Sequence, residues 1–161
     1  MFSVPANLLN GVQNMADFKS TVIIRRPVAE VFQYATNPDN APEIMPNVVK
    51  MEKATDGPIG PSTRFIETRM IRGKKVKAEI EYTQFEQDKS YTAKSNSNGL
   101  VVTYDYTFTE IDEGTQVELE ANIHTSGFIM SLTRPMLVKI IKKEDGRQLS
   151  YLKQMLQGDE D

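Results

Sequence analysis

The chain has 161 residues, a length that builds one domain around one sizeable core. Its hydrophobic fraction of 39%, with 25% charged residues, is that of a folded globular protein rather than a disordered one. A formal charge of -3 predicts no nucleic-acid partner, and the absence of cysteine excludes disulfides, thiol nucleophiles and thiolate metal sites.

The single histidine, His124, rules out a multi-histidine metal centre within one chain, and no cofactor is expected. No run of about 18 apolar residues occurs, so no membrane-spanning helix is predicted. The first 14 residues, MFSVPANLLNGVQN, lack a basic start and a continuous apolar centre. A secretory signal is therefore not expected, and a cytoplasmic location is the default. Residues 1–15 read as an N-terminal tail: an ordered arm, a loose tail, or translation upstream of an internal start at Met15. Residues 16–157 read as a single domain and 158–161 as an acidic tail.

In chain order, FKSTVIIRR (18–26) is β-branched in its centre and stops at Pro27, which predicts a first strand. PVAEVFQYA then places Val28, Val31, Phe32 and Ala35 at helical spacing behind a proline suited to a helix start. TNPDNAPEIMPNV carries three prolines and permits only short elements. Within it, Asn40 followed by Glu43 predicts a capped helical turn that ends before Pro46. From Val48 onward the signals are strand and turn: NVVKMEKA, RFIETRMI, VKAEIEYTQFE, SYTAKS, LVVTYDYTFTE and QVELEANIHT. Asn98-Gly99, between the fourth and fifth of these, is the strongest short hairpin signal. Six successive strands joined by short turns predict an antiparallel meander with one wet face.

One long helix is predicted over 133–157. Val138, Ile141, Asp145, Leu149, Leu152 and Leu156 follow the spacing of one helix face. Pro135 is tolerable only near the start of that helix. Gly146 falls in its interior, where it costs about 1 kcal/mol but permits close approach of a strand or ligand.

This order resembles the helix-grip proteins of the polyketide cyclase/dehydrase and lipid-transport superfamily, a group that includes START-type lipid-transfer domains and birch-pollen-allergen-like proteins. RRPVAEVFQYATNPDNAPEIMPNV resembles the family's opening, a strand ending at proline before a P-x-x-x-V-F helix. YTFTEIDEGTQVELE is similar to its penultimate hairpin, and LSYLKQMLQ to its closing L-x-x-L-K helix end. The resemblance covers about residues 17–157. It implies an α+β helix-grip fold: a seven-stranded antiparallel curved sheet wrapped around a long C-terminal helix, with two short helices after strand 1. It also implies a cavity between sheet and helix, which in this family serves carriers, receptors, cyclases and co-chaperones, so fold alone does not decide function.

The strand from Leu100 alternates strictly, with Tyr104, Tyr106 and Phe108 on one face. Such residues ordinarily fill a core, but three inward tyrosines need hydrogen-bond partners, and a hollow supplies room for them. The candidate ligand-binding lining is Ile66, Met70, Ala78, Ile80, Tyr82, Tyr91, Tyr104, Tyr106, Phe108, Leu119 and Ile123 from the sheet. Leu137, Ile141, Asp145 and Leu149 join it from the helix. Asp145 interrupts the apolar stripe. It reads as a solvated carboxylate where the sheet no longer covers the helix, or as a polar anchor for a ligand or for Arg147.

RFIETRMI allows two registers. Ile66, Thr68 and Met70 pointing inward is favoured, because the other register carries Glu67 and Arg69 into the cavity at the cost of burying both charges. His124 has outward parity and reads as a surface residue. The basic turn holding Arg72, Lys74 and Lys75 reads as solvated, with transient membrane-surface contact as the functional alternative. The leading expectation is a carrier or sensor for a small hydrophobic or aromatic molecule. A cyclase, aromatase or dehydrase acting in the same cavity is the second, and a co-chaperone-like interaction protein the third. No catalytic residue is assigned.

Overall fold

Phe18–Ile24 forms β1, which ends before Pro27; that residue's φ of -59° leads into α1, Val28–Thr36. The computed structural model describes residues 15–158, so the tails expected at either end lie outside the described residues except for Met15 and Gly158. A 3-10 turn at Pro38–Asn40 and the four-residue α2, Ala41–Ile44, follow. The cap expected of Asn40 is not made. Asn37 caps the 3-10 turn by accepting from the Asp39 amide at 3.0 Å, while Asn40 Nδ2 donates to the Tyr34 carbonyl. The expected partner of Asn40, Glu43, instead accepts from the Tyr34 hydroxyl.

The meander follows as β2 (Val48–Lys53), β3 (Arg64–Ile71), β4 (Lys74–Glu86), β5 (Ser90–Ser97), β6 (Leu100–Ile111) and β7 (Gly114–Thr125). The strands lie in the order β1-β7-β6-β5-β4-β3-β2, every neighbour antiparallel. At the β5–β6 turn, Asn98 and Gly99 have φ of 48° and 88°. Two successive left-handed residues match the right-handed twist of a tight hairpin.

The inward face builds an aromatic core. Phe32 of α1 is fully buried and meets Phe85, Tyr91 and Phe108 edge-on, with ring centres 5.0–5.9 Å apart. Each such geometry adds about 0.5–1.5 kcal/mol beyond area burial. Val117, Leu119, Ala121 and Ile123 of β7 are fully buried beside them.

The single C-terminal helix expected over 133–157 is two helices, α3 at Phe128–Asp145 and α4 at Gln148–Gln157. The break is at Gly146 and Arg147. A Cβ added to Gly146 would stand 2.3 Å from the Lys142 carbonyl oxygen, so the chain turns there in a way a side chain would obstruct. Pro135 lies well inside α3, where its missing N–H deprives the Ser131 carbonyl of a helical partner. Leu149 and Leu152 of α4 are buried in the core, and Gln157 accepts from the Arg25 amide at 2.9 Å. On α3, by contrast, Leu137, Val138 and Ile141 are only half-buried. α4 packs down on the core, while α3 is tied to β7 by Arg134, which donates to the Ile123 carbonyl at 3.0 Å, and leaves a gap beneath its later turns.

Candidate functional site

That gap is a cavity of about 240 Å³ between the inner face of the sheet and the two terminal helices. Its walls are mostly apolar: Ile44, Met45 and Met51 at one end, Ile71, Val76, Ala78 and Ile80 along the sheet, and Ile141, Leu149 and Leu152 from the helices.

Polar groups are concentrated on one side. Phe65 packs its ring 4.7 Å from Tyr82 and is fully buried. Period-two alternation then carries Glu67, Arg69 and Ile71 inward and leaves Ile66 and Met70 on the opposite face. This corrects the favoured register of the strand. Pairing Phe65 with Ile80, Glu67 with Ala78 and Arg69 with Val76 fixes the same parity from β4.

The cost of burying the charges is offset by a partner 76 positions away. Arg69 grips Asp145 with both terminal nitrogens, Nη1 to Oδ1 at 2.9 Å and Nη2 to Oδ2 at 3.1 Å. Its Nε donates to Glu67 Oε1 at 2.5 Å, and Nη2 also reaches Met45 Sδ at 3.6 Å. Asp145 is therefore not a solvated carboxylate and does not meet Arg147, whose guanidinium lies 5.7 Å over the Tyr151 ring. The side chains of Glu67, Arg69 and Asp145 are 6%, 17% and 4% exposed, deep enough for the pairing to be strong. Burial alone would weaken the Arg69 proton, but Asp145 and then Glu67 outweigh it and hold the guanidinium firmly charged.

The tyrosines complete the polar wall. The Tyr104 hydroxyl donates to Asp145 Oδ2, and the Tyr106 hydroxyl donates to Gln148 Oε1. Burial pushes the Tyr104 hydroxyl well above its ordinary pKa, and the Asp145 carboxylate beside it adds to the effect. Tyr82, Tyr91 and Tyr106 are likewise raised, in each case first by burial. All four stay neutral donors across the physiological range. Gln148 is 2% exposed, lines the cavity, and has its Nε2 buried without a hydrogen-bond partner among the described residues.

Of the residues expected at the lining, Ala78, Ile80, Tyr82, Tyr91, Tyr104, Tyr106, Ile141, Asp145 and Leu149 stand on the cavity wall. Ile66 and Met70 do not, because of the register. Phe108, Leu119 and Ile123 are buried in the core below, and Leu137 is half-buried off the wall. Among the wall residues the sequence reading missed are Gln148, Glu144, Ile44, Met45, Met51 and Val76. Gln148 carried a usable signal: in the single helix read from the sequence it stands three residues after Asp145 and so on the same face.

The chain belongs to the family described as polyketide cyclase / dehydrase and lipid transport, which it matches over residues 15–157. Its fold is that of the helix-grip proteins, the SRPBCC class. The Zhui aromatase/cyclase from Streptomyces sp. R1128 has a TM-score of 0.72 at 12% identity, over 86% of this chain and 92% of that one. Ara h 8.0201 is another similar structure, with TM-score 0.63 at 16% identity, over 86% of this chain and 95% of that one. The di-domain ARO/CYC StfQ from the steffimycin biosynthetic pathway has TM-score 0.69 at 14% identity over 86% of this chain, which spans about half, 49%, of StfQ. At these identities the likeness is one of fold. A search of curated protein sequences returns no match. No helix among the described residues is long and apolar enough to cross a membrane.

Proposed function

We propose that this protein binds a compact, neutral apolar or aromatic molecule in the cavity, as a carrier or sensor, with the molecule's polar end against Glu67, Arg69, Tyr104, Asp145 and Gln148. The observation that carries the reading is a mostly apolar hollow with polar groups converging on one wall, the usual make-up of a small-molecule site. A volume of about 240 Å³ lies just below the range of drug-sized pockets, roughly 300–1,000 Å³, and suits a compact ring system better than a long acyl or isoprenoid chain.

The charge balance argues for a neutral ligand. Arg69 is engaged on Glu67 and Asp145, and Glu144 adds a third carboxylate 3.8 Å from Nη1. Carboxylates thus outnumber the cation. A ligand carboxylate would be repelled, whereas a phenol or alcohol could donate to the acidic oxygens and a carbonyl could accept from Gln148 Nε2.

The test is intact mass under native and denaturing conditions, followed by thermal shift with naphthols and with fatty acids of similar size. Neutral phenolic compounds should raise the melting temperature and matched carboxylates should not. The reverse preference would overturn the charge argument, and no shift with either class would overturn binding in the cavity.

A second reading is favoured by one observation: Tyr104, Asp145 and Arg69 form a hydrogen-bonded chain of ionisable groups at the cavity wall. A cyclase- or aromatase-type reaction needs such proton-handling groups within reach of its substrate. Tyr104→Phe separates the two. A carrier keeps most of its affinity, whereas a reaction that uses the hydroxyl loses rate.

A further inference from the structure

The outward face of α3 is not the polar surface expected of a helix end that faces water. Phe128, Leu132, Met136 and Ile140 are 80%, 66%, 57% and 39% exposed. Their four-residue spacing sets them in one gently drifting line, since each fourth residue advances roughly 40° round the helix. Lys139, Lys142 and Lys143 are exposed on the same side, within an arc of roughly 160° that contains no acidic residue.

The β3–β4 hairpin tip repeats this chemistry. Met70, Ile71 and Val76 are 39–44% exposed, and they alternate with Arg72, Lys74, Lys75 and Lys77, with no acidic residue between Thr68 and Ala78. The two surfaces adjoin: Arg72 of the tip lies across a shallow depression from Ile140 and Lys143 of α3. Together they frame the cavity mouth, where Ile71 and Val76 from the tip face Ile141 and Glu144 from the helix. None of the exposed lysines on α3, nor Arg72, Lys74 or Lys75, forms an ion pair with a described carboxylate. Six basic side chains, Lys139, Lys142, Lys143, Arg72, Lys74 and Lys75, are thus gathered beside these apolar residues in a chain whose formal charge is -3.

We infer that this face, the outer side of α3 with the β3–β4 tip, docks on a lipid surface that carries anionic headgroups. Such a surface accepts both halves of the pattern at once. Apolar side chains enter the headgroup boundary while lysines extend along it to the phosphates and carboxylates. A second copy of this chain fits less well. A two-fold dimer sets the same patch against itself and would bring the lysines of α3 against one another. Docking in this orientation turns the cavity mouth toward the bilayer, so an apolar ligand could pass between them without crossing water.

The test is flotation of the full chain with phosphatidylcholine vesicles, with and without phosphatidylserine. It reads docking whether or not the cavity is occupied, and so it stands apart from the ligand-binding assay. The chain should partition onto the serine-containing vesicles and be released by salt. The combined variant Lys139→Gln, Lys142→Gln, Lys143→Gln should lower that partitioning by roughly 100-fold, at about 1 kcal/mol per lysine. Leu132→Ser with Met136→Ser should lower it at least about ten-fold. Both variants change only exposed side chains, and an unchanged melting temperature would confirm that they fold. Equal binding to both kinds of vesicle, or binding to neither, would overturn the inference. So would concentration-dependent dimerisation that Leu132→Ser with Met136→Ser abolishes, which would assign the face to a second copy.

Discussion

Replacing Arg69 with Met should be among the most damaging single changes available in this chain, although the residue is neither apolar nor fully buried. The guanidinium is 17% exposed and satisfies two carboxylates that are 6% and 4% exposed. Its removal leaves Glu67 and Asp145 buried, alike in charge and uncompensated. Breaking a buried pair in this way costs about 3–5 kcal/mol. A domain of this size has a total of roughly 5–15 kcal/mol, so the variant would lose a large share of its stability. Asp145→Leu should cost less, because Arg69 keeps Glu67. The combined variant Glu67→Leu, Arg69→Met, Tyr104→Phe, Asp145→Leu removes the three most buried charges and the hydroxyl that depended on them, and leaves the more exposed Glu144. It should be as stable as the parent, or more stable by about 1–4 kcal/mol. Urea unfolding followed by circular dichroism measures all three, with an unchanged denaturant slope as the check that the unfolded states are comparable. A loss below about 1 kcal/mol for Arg69→Met would mean that the cluster is effectively solvated. A combined variant weaker than the single one would mean that the network is held for stability, and the argument for a ligand-facing role would lose its energetic basis.

Three further outcomes follow from the same geometry. Gly146→Ala should destabilise by about 1–3 kcal/mol despite alanine's better helix propensity, because its Cβ meets the Lys142 carbonyl at 2.3 Å; thermal melting should show a fall of several degrees. Tyr106→Phe should cost more than Tyr104→Phe in urea unfolding: the first leaves the Gln148 amide with neither end paired, about 1–3 kcal/mol, whereas the second leaves Asp145 still held by Arg69. The buried tyrosines' contribution to stability should be level up to about pH 10 and then fall. Tyr82, Tyr91, Tyr104 and Tyr106 have folded pKa values above the unfolded value of about 10, so the folded state retains protons that the unfolded state releases. Each contributes a slope of about 1.4 kcal/mol per pH unit, and tyrosinate absorbance for these four should rise only with unfolding; a gradual rise in a folded chain would contradict their burial.

The fold was legible because its signals are local. Alternation from Leu100 to Phe108, the Asn98-Gly99 turn and the proline-led α1 each state one element without reference to the rest of the chain. The C-terminal helix was read one element too long for the opposite reason. Val138, Ile141, Leu149 and Leu152 keep helical spacing across the break, and nothing in the pattern says that Gly146 is pressed against a carbonyl one turn earlier. The stripe also could not say that its first half would be half-buried and its second half fully buried. That depends on where the sheet curves away, which is set by packing of α4 against β1 and the core.

The site shows the limit more sharply, since two local anomalies proved to be one interaction. Asp145 interrupts an apolar helix stripe, and Glu67 with Arg69 interrupts an apolar strand face. Taken separately, each is best explained by solvent, because a lone buried charge is costly. That reasoning favoured turning the strand so that both charges faced out. Taken together, the three compose a network whose cation reaches both carboxylates, and the cost that argued against burial is largely met within it. The bulk of Phe65 then decides the register, because moving its ring into solvent to expose Glu67 and Arg69 would forfeit about 1.5–3 kcal/mol of apolar burial. Complementary charges on two elements that pack across the same hollow are therefore a reason to weigh the two interruptions jointly. Here that joint weighing places the polar groups where a ligand would meet them.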